Sequence, residues 1–301
     1  MGDLPDRVAQ KAAKIAWGLR TRVASPRCRI CGGTSKRRLG YGRPFAECDD
    51  CGFLWCHDTP EWFAARGMGM QGSWGGVDRG GERDDYLVRF LTSGEDRPKV
   101  LIYGAGTTLA FRVLHEEGWD VYGSDVGADV VEYRSSEFPG RFFHASDLER
   151  SSQGFDIITA CEVFEHFHDP MRWLRALTRN LAADGVLCGS TNFYSGRGPI
   201  EDDQHVGYMS LGGHVAYWSE SSLAVAAKHF GMETVLFELV CPGSVKPDLT
   251  YGSLFANKRL FFASRNHSLI ERLRERRAHD SLLPCDTSDY EILRYREASG
   301  A

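Results

Sequence analysis

The stretch KVLIYGAGTT, Lys99 to Thr108, runs from four apolar residues into two glycines and then into residues that open a helix. That order of buried strand, tight turn and helix predicts a parallel sheet covered by helices on both faces. Glycine at 104 and 106 lets the backbone pass close to a ligand at the carboxyl end of the strand. A nicotinamide-dinucleotide fingerprint would need glycine at 109, where the chain has Leu109. Outward from this point, further strands are expected at 120–124, 141–144, 156–160, 186–190, 234–239 and 259–263. One helix runs from Thr107 to near Gly118. Another opens at Asp169-Pro170, buries Leu174, Leu177 and Leu181, and ends before Gly185. A third is capped by Ser219 and ends at Gly231. The whole is an α/β fold over residues 98–265.

The chain has 301 residues, 42% of them hydrophobic and 26% charged, with a formal net charge of −5. This suits one α/β domain with a small appendage and argues against a general attraction to nucleic acid or membrane. No apolar run approaches the roughly 20 residues a membrane helix needs. Residues 1–25 read as an amphipathic helix with Val8, Ala12, Ile15 and Leu19 on one face, without a secretory apolar core. Residues 61–97 read as a glycine-rich connector or lid, and residues 266–301 as a charged helix and polar tail.

Nine cysteines are present, and four fall in two C-x-x-C pairs, Cys28/Cys31 and Cys48/Cys51. Two such knuckles bring four thiolates into a tetrahedral shell suited to zinc, with iron as the alternative. The pattern points to metal binding in a reducing cytoplasm rather than to a disulfide framework. Gly32 and Gly52 let each turn close so that amides face sulfur. Because protein fills every position, the metal in this 26–60 knuckle is expected to be structural. Cys56 and His57 read as spare. Arg22, Arg27, Arg29, Lys36, Arg37 and Arg38 crowd the same region without an acid. They are expected to compensate an anionic site, with a phosphorylated substrate or nucleic acid as the sharper alternative.

Two acids follow strands. Asp125, ending VYGSD, could accept both ribose hydroxyls of an adenosine, and Asp147, in FHASDLE, could meet the adenine amino group. With YGAG, VYGSD, ASDL and FDIITACEVFEHFHDP in this order, residues 65–265 resemble the class I S-adenosylmethionine-dependent methyltransferases. EVFEHFHDP is similar to the subgroup with ubiquinone-pathway O-methyltransferases and sugar or natural-product methyltransferases. Cysteine knuckles precede the domain in some of these, deoxysugar C-methyltransferases among them, though those carry a further C-terminal domain. The family's glycine motif reads G-x-G-x-G, and Thr108 stands at its last glycine here. The resemblance implies a Rossmann-like seven-stranded sheet whose last strand, Arg259 to Ala263, is antiparallel. It also implies S-adenosyl-L-methionine contacts at Tyr103, Gly104, Ala105, Gly106, Asp125, Val126, Asp147, Leu148 and Glu162. Trp74, with Met70 nearby, would lie beside the sulfonium, where an aromatic gains a cation–π attraction.

Methyl transfer is an in-line displacement that depends on positioning, and a hydroxyl acceptor also needs a base. The loops beyond the fourth and fifth strands carry Glu165, His166, His168, His205, Tyr208 and His214. By resemblance His166 is the active-site histidine, and His214, just before the closing helix, faces the acceptor. The expected activity is methylation of a small-molecule acceptor, on oxygen ahead of carbon or nitrogen. An RNA methyltransferase using the basic knuckle, and an inactive binding module signalled by Thr108, are the alternatives. Neither the acceptor nor the oligomeric state is legible.

Overall fold

A computed structural model describes residues 26–40, 43–56, 79–92, 97–194, 196, 214–240, 258–279 and 282–284. The expected N-terminal helix, Trp74 and Met70, His57, and the pair His205 and Tyr208 lie outside the described residues.

The chain enters through a meander of β1 (Ser35–Gly40), β2 (Arg43–Cys48) and β3 (Leu54–Cys56), paired antiparallel. Next comes α1 (Arg79–Leu91), a helix inside the stretch read as connector. Gly80 and Gly81 in its first turn disguise it, while Leu87 and Val88 are fully buried against the sheet. Then follow β4 (Val100–Tyr103), α2 (Leu109–Glu116), β5 (Val121–Asp125), α3 (Ala128–Glu137), β6 (Phe142–His144) and β7 (Phe155–Thr159). The chain continues through α4 (Pro170–Asn180), β8 (Leu181–Asn192), β9 (Ala216–Tyr217), α5 (Glu220–His229) and β10 (Glu233–Val240). It closes with β11 (Lys258–Ser264), α6 (His267–His279) and β12 (Leu282–Pro284).

The large sheet has the order β12-β10-β11-β8-β7-β4-β5-β6. Strands β6, β5, β4, β7 and β8 run parallel, and β11 is antiparallel to both β8 and β10. This is the expected seven-stranded arrangement with an eighth short strand, β12, paired parallel to β10. The chain goes from β4 outward to β5 and β6, then returns to place β7 on the other side of β4. The crevice between β4 and β7 is therefore the switch point where open α/β sheets bind ligands.

Besides α1, the end of α4 departs from expectation. The helix opened by Asp169, which accepts the Arg172 N–H at 3.2 Å, stops at Asn180. The buried Asn180 amide donates to Leu148 O and Ala176 O at 2.8 Å each, and its oxygen accepts from Ser151 and Gln153. Leu181 is accordingly the first residue of β8, paired with Phe155, rather than part of the helix.

The cysteine-bearing meander is not a detached appendage. The strand β9 joins it, Leu54 pairing with Tyr217 and Trp55 with Ala216, to make a four-stranded sheet of order β1-β2-β3-β9. Phe53 meets the Trp218 ring edge-on at 5.2 Å, Trp218 meets Phe164 at 5.5 Å, and Phe164 meets Phe261 of β11 at 4.6 Å. One apolar cluster thus includes Cys28, Cys48, Phe53 and Trp55 together with Leu101, Ile158 and Leu187 of the large sheet.

Candidate active site

The turn after β4 is built for glycine. Gly104 has φ +73°, and a Cβ there would sit 2.6 Å from Val163 Cγ2. Gly106 also has positive φ, but a Cβ there would meet open space. The Gly104 and Ala105 N–H groups both donate to Ser124 O, which ties the turn to the end of β5. Asp125, only 6% exposed, takes the Gly106 N–H on one carboxylate oxygen at 3.0 Å and the Gly127 N–H on the other at 2.8 Å. Arg134 of α3, 3% exposed, braces the same turn by donating to Thr108 O at 2.9 Å and Gly106 O at 3.3 Å. Burial lowers its pKa, opposed by the Glu137 carboxylate. The Tyr103 side chain turns away into an aromatic layer with Phe167 and Trp173, where burial raises its pKa. Its share in the turn is therefore main-chain.

Beside this turn, residues 145–149 form a 3-10 turn after β6. His144 Nε2 donates to Val126 O at 3.0 Å, since a carbonyl only accepts, which leaves Nδ1 to accept the Ser146 N–H. This clamps the loop after Asp125 to the turn that carries Asp147. Asp147 is exposed, Val126 is half-buried and Leu148 is fully buried beneath them.

Across the crevice, Glu162 follows β7 with φ +57°, the one left-handed non-glycine among the described residues. Such a conformation costs of order 1–3 kcal/mol and persists only where neighbours enforce it. Its N–H donates to Ser190 O at 2.8 Å, and its carboxylate accepts the Ser190 hydroxyl at 2.8 Å and pairs with Arg83 of α1 at 3.2 Å. Glu165 is fully buried and accepts the Thr191 hydroxyl at 3.0 Å. His166 and His214 meet with ring centroids 4.9 Å apart, the second brought in by the Val215 N–H to Glu165 O bond of 2.8 Å.

Residues 78–236 match the family described as "Methyltransferase domain". The chain belongs to this methyltransferase family. It is an enzyme of methyl transfer. No curated protein matches it. Similar solved structures include a chain of the complex between the Haloferax volcanii Trm112 methyltransferase activator and a methyltransferase, at 17% identity and TM-score 0.49, over 70% of this chain and 98% of that one. An S-adenosylmethionine-dependent methyltransferase from Mesorhizobium loti gives 18% and 0.46, over 63% and 100%. Magnesium protoporphyrin IX methyltransferase from Synechocystis with bound SAH gives 18% and 0.46, over 68% and 97%. None of these likenesses bears on the acceptor.

The family match starts at residue 78, one residue before α1, so this methyltransferase includes the helix that carries Arg83. The structure brings Gly104, Ala105, Gly106, Asp125, Val126 and Glu162 to the carboxyl edge of β4, β5 and β7, and Glu165, His166 and His214 to the rim beside them. Arg83, Arg134 and His144 contact Glu162, Gly106 and Val126 of the candidate site, and sequence reasoning missed them. The i,i+3 spacing of Arg134 and Glu137 was the available signal for one of them.

The methyltransferase's four paired cysteines are all free thiols. Their sulfurs lie within 4.8 Å of one another, Cys28 at 3.6 Å from Cys51 and Cys31 at 3.4 Å from Cys48. Sulfurs around zinc at ~2.3 Å sit roughly 3.8 Å apart, so the donor set fits that ion. The Ile30, Gly33 and Cys51 N–H groups donate to Cys28, Cys31 and Cys48 sulfur at 3.4 Å each, as expected for a thiolate shell. The Cys28–Cys51 hydrogen bond pushes the Cys28 thiol down to about 5 and its partner up, while burial pushes Cys48 up. Cys56 instead lies buried in a small core with Phe45, Leu54 and Tyr217. Of the basic residues, Arg29 donates to His168 O at 2.7 Å, and Lys36 and Arg38 pair with Glu47.

No described helix is long and apolar enough to cross a membrane.

Proposed function

We propose that the chain moves the methyl group of S-adenosylmethionine to a hydroxyl of a small molecule, a sugar or another natural product. The observation that carries this reading is the Gly104–Gly106 turn, held by Asp125 and facing the left-handed Glu162 across the switch point. In this reading the adenosine lies along the open side of Gly106. Each Asp125 oxygen already accepts one N–H and has a further lone pair for a ribose hydroxyl. Asp147 meets the adenine amino group, with Val126 and Leu148 as apolar neighbours, and Glu162 lies toward the methionine end. Trp74 belongs on the sulfonium side, and His205 and Tyr208 on the acceptor side.

His166 and His214 face the acceptor. The hydroxyl oxygen attacks the methyl carbon in line, the carbon–sulfur pair stays on sulfur, and the proton passes to His166. Zinc on Cys28, Cys31, Cys48 and Cys51 supplies folding stability and takes no part in the transfer.

Calorimetry with S-adenosylmethionine and S-adenosylhomocysteine tests the cofactor half. Asp125→Ala is expected to weaken both by roughly tenfold or more, the usual effect of losing a charge-assisted hydrogen-bond pair. Unchanged affinity removes Asp125 from the site, and tighter binding of NADH than of S-adenosylmethionine overturns the assignment. Labelled methyl transfer to a panel of hydroxylated metabolites then tests the acceptor class.

A further inference from the structure

We infer that Glu165, His166 and His214 form a binding site for one divalent cation on the acceptor side of the crevice. One ligand atom from each lies within 4.8 Å of the others. Two imidazoles and one carboxylate suit zinc or manganese and leave coordination positions open.

The surroundings of the three residues support the assignment. Glu165 is 0% exposed, and His166 and His214 stand against it on the same rim. The Thr191 hydroxyl donates to its Oε2 at 3.0 Å and so orients the carboxylate, the arrangement that outer hydrogen bonds give to metal ligands. Both ligand-bearing segments are locked. The Val215 N–H holds Glu165 O at 2.8 Å, the Tyr217 hydroxyl holds His214 O at 2.9 Å, and the His166 N–H holds Val163 O at 3.0 Å. Glu162 is a separate matter, since its carboxylate is taken by Ser190 and Arg83.

The catalytic consequence rests on the methyl-transfer reading, whereas cation binding does not. A cation held there would take over from His166 the task of readying the acceptor hydroxyl: it would lower that hydroxyl's pKa, and the proton would go to solvent. The transfer is otherwise as above, with the carbon–sulfur pair left on sulfur and no oxidant or reductant consumed.

Manganese is the probe, because it prefers oxygen and nitrogen ligands and leaves a four-thiolate site alone. The purified full chain is titrated with Mn²⁺ and the free ion is read by electron paramagnetic resonance. Wild type is expected to take up one Mn²⁺. Glu165→Gln and His214→Ala should each weaken it tenfold or more, and His166→Ala should match them, while His168→Ala binds as wild type does. Retained S-adenosylmethionine affinity in each variant shows that it is folded. A wild type that binds S-adenosylmethionine but no Mn²⁺, or Mn²⁺ binding untouched by all three ligand variants, overturns the inference and leaves His166 as the base. Mn²⁺ bound and lost as expected, in a chain without affinity for S-adenosylmethionine, upholds the cation site while the methyl-transfer reading fails.

Discussion

Gly104 is constrained twice, by a left-handed φ and by the Val163 side chain where a Cβ would stand. The two constraints are separable. Left-handed backbone costs an L-residue about 1–2 kcal/mol, and a clash in a packed region about 1–3 kcal/mol. Gly104→Ala is therefore expected to lose about 2–5 kcal/mol in denaturant unfolding. In a Val163→Ala background the same change should lose only the backbone part, about 1–2 kcal/mol. Equal losses in both backgrounds would remove the Val163 clash from the account. Gly104, Asp125 and Glu162 of the candidate site could be picked out in the sequence because each is a residue type suited to a strand end beside a ligand. Arg134, His144 and Arg83 could not, because their partners are main-chain carbonyls or a carboxylate supplied by remote parts of the chain.

At the scale of elements, Thr108 explains its own departure from a third glycine. It is the N-cap of α2, 3% exposed, with its hydroxyl accepting the Ala110 N–H at 3.0 Å. It serves the helix, and its presence is no sign of an inactive site. Thr108→Gly should cost about 1 kcal/mol, from the cap and from the greater freedom of the unfolded chain, while S-adenosylmethionine affinity stays within about threefold of wild type. A tenfold loss of affinity at unchanged stability would reassign Thr108 to the cofactor. The strands and capped helices of the large sheet were readable from apolar runs and from Asp169, Ser219 and Gly118. The helix α3 was not, because only Val130 and Arg134 are buried along it, too few for a periodic apolar stripe. The strand β9 was invisible for another reason: two residues gain strand character only from pairing with β3.

For the whole molecule, that pairing joins the cysteine knuckle to the rim that carries His166 and His214. Cys51 O accepts the Ser219 hydroxyl at 2.6 Å, β3 pairs with β9, and His214 lies two residues before β9. The Gly104 turn is held separately, by β5 and α3. Cys31→Ser is expected to abolish the one equivalent of zinc and, if it costs about 3 kcal/mol, to lower Tm by roughly 6–12 °C. Turnover with the acceptor should fall much further than affinity for S-adenosylmethionine. Parallel losses in the two would mean that the knuckle supports both halves alike, and a zinc-free wild type of full stability would remove the metal.

The β3–β9 pairing also bears on how the chain leaves the ribosome. Leu54 and Trp55 must wait for Tyr217 and Ala216. Translation at about 5–20 residues per second separates them by roughly 8–30 s, since about 160 residues lie between. Through that interval β3, whose three residues are all apolar, presents an unpaired edge. The nascent knuckle is thus open to pairing with a neighbouring chain until the later strand arrives, so slower elongation lengthens the time during which two growing copies could exchange strands.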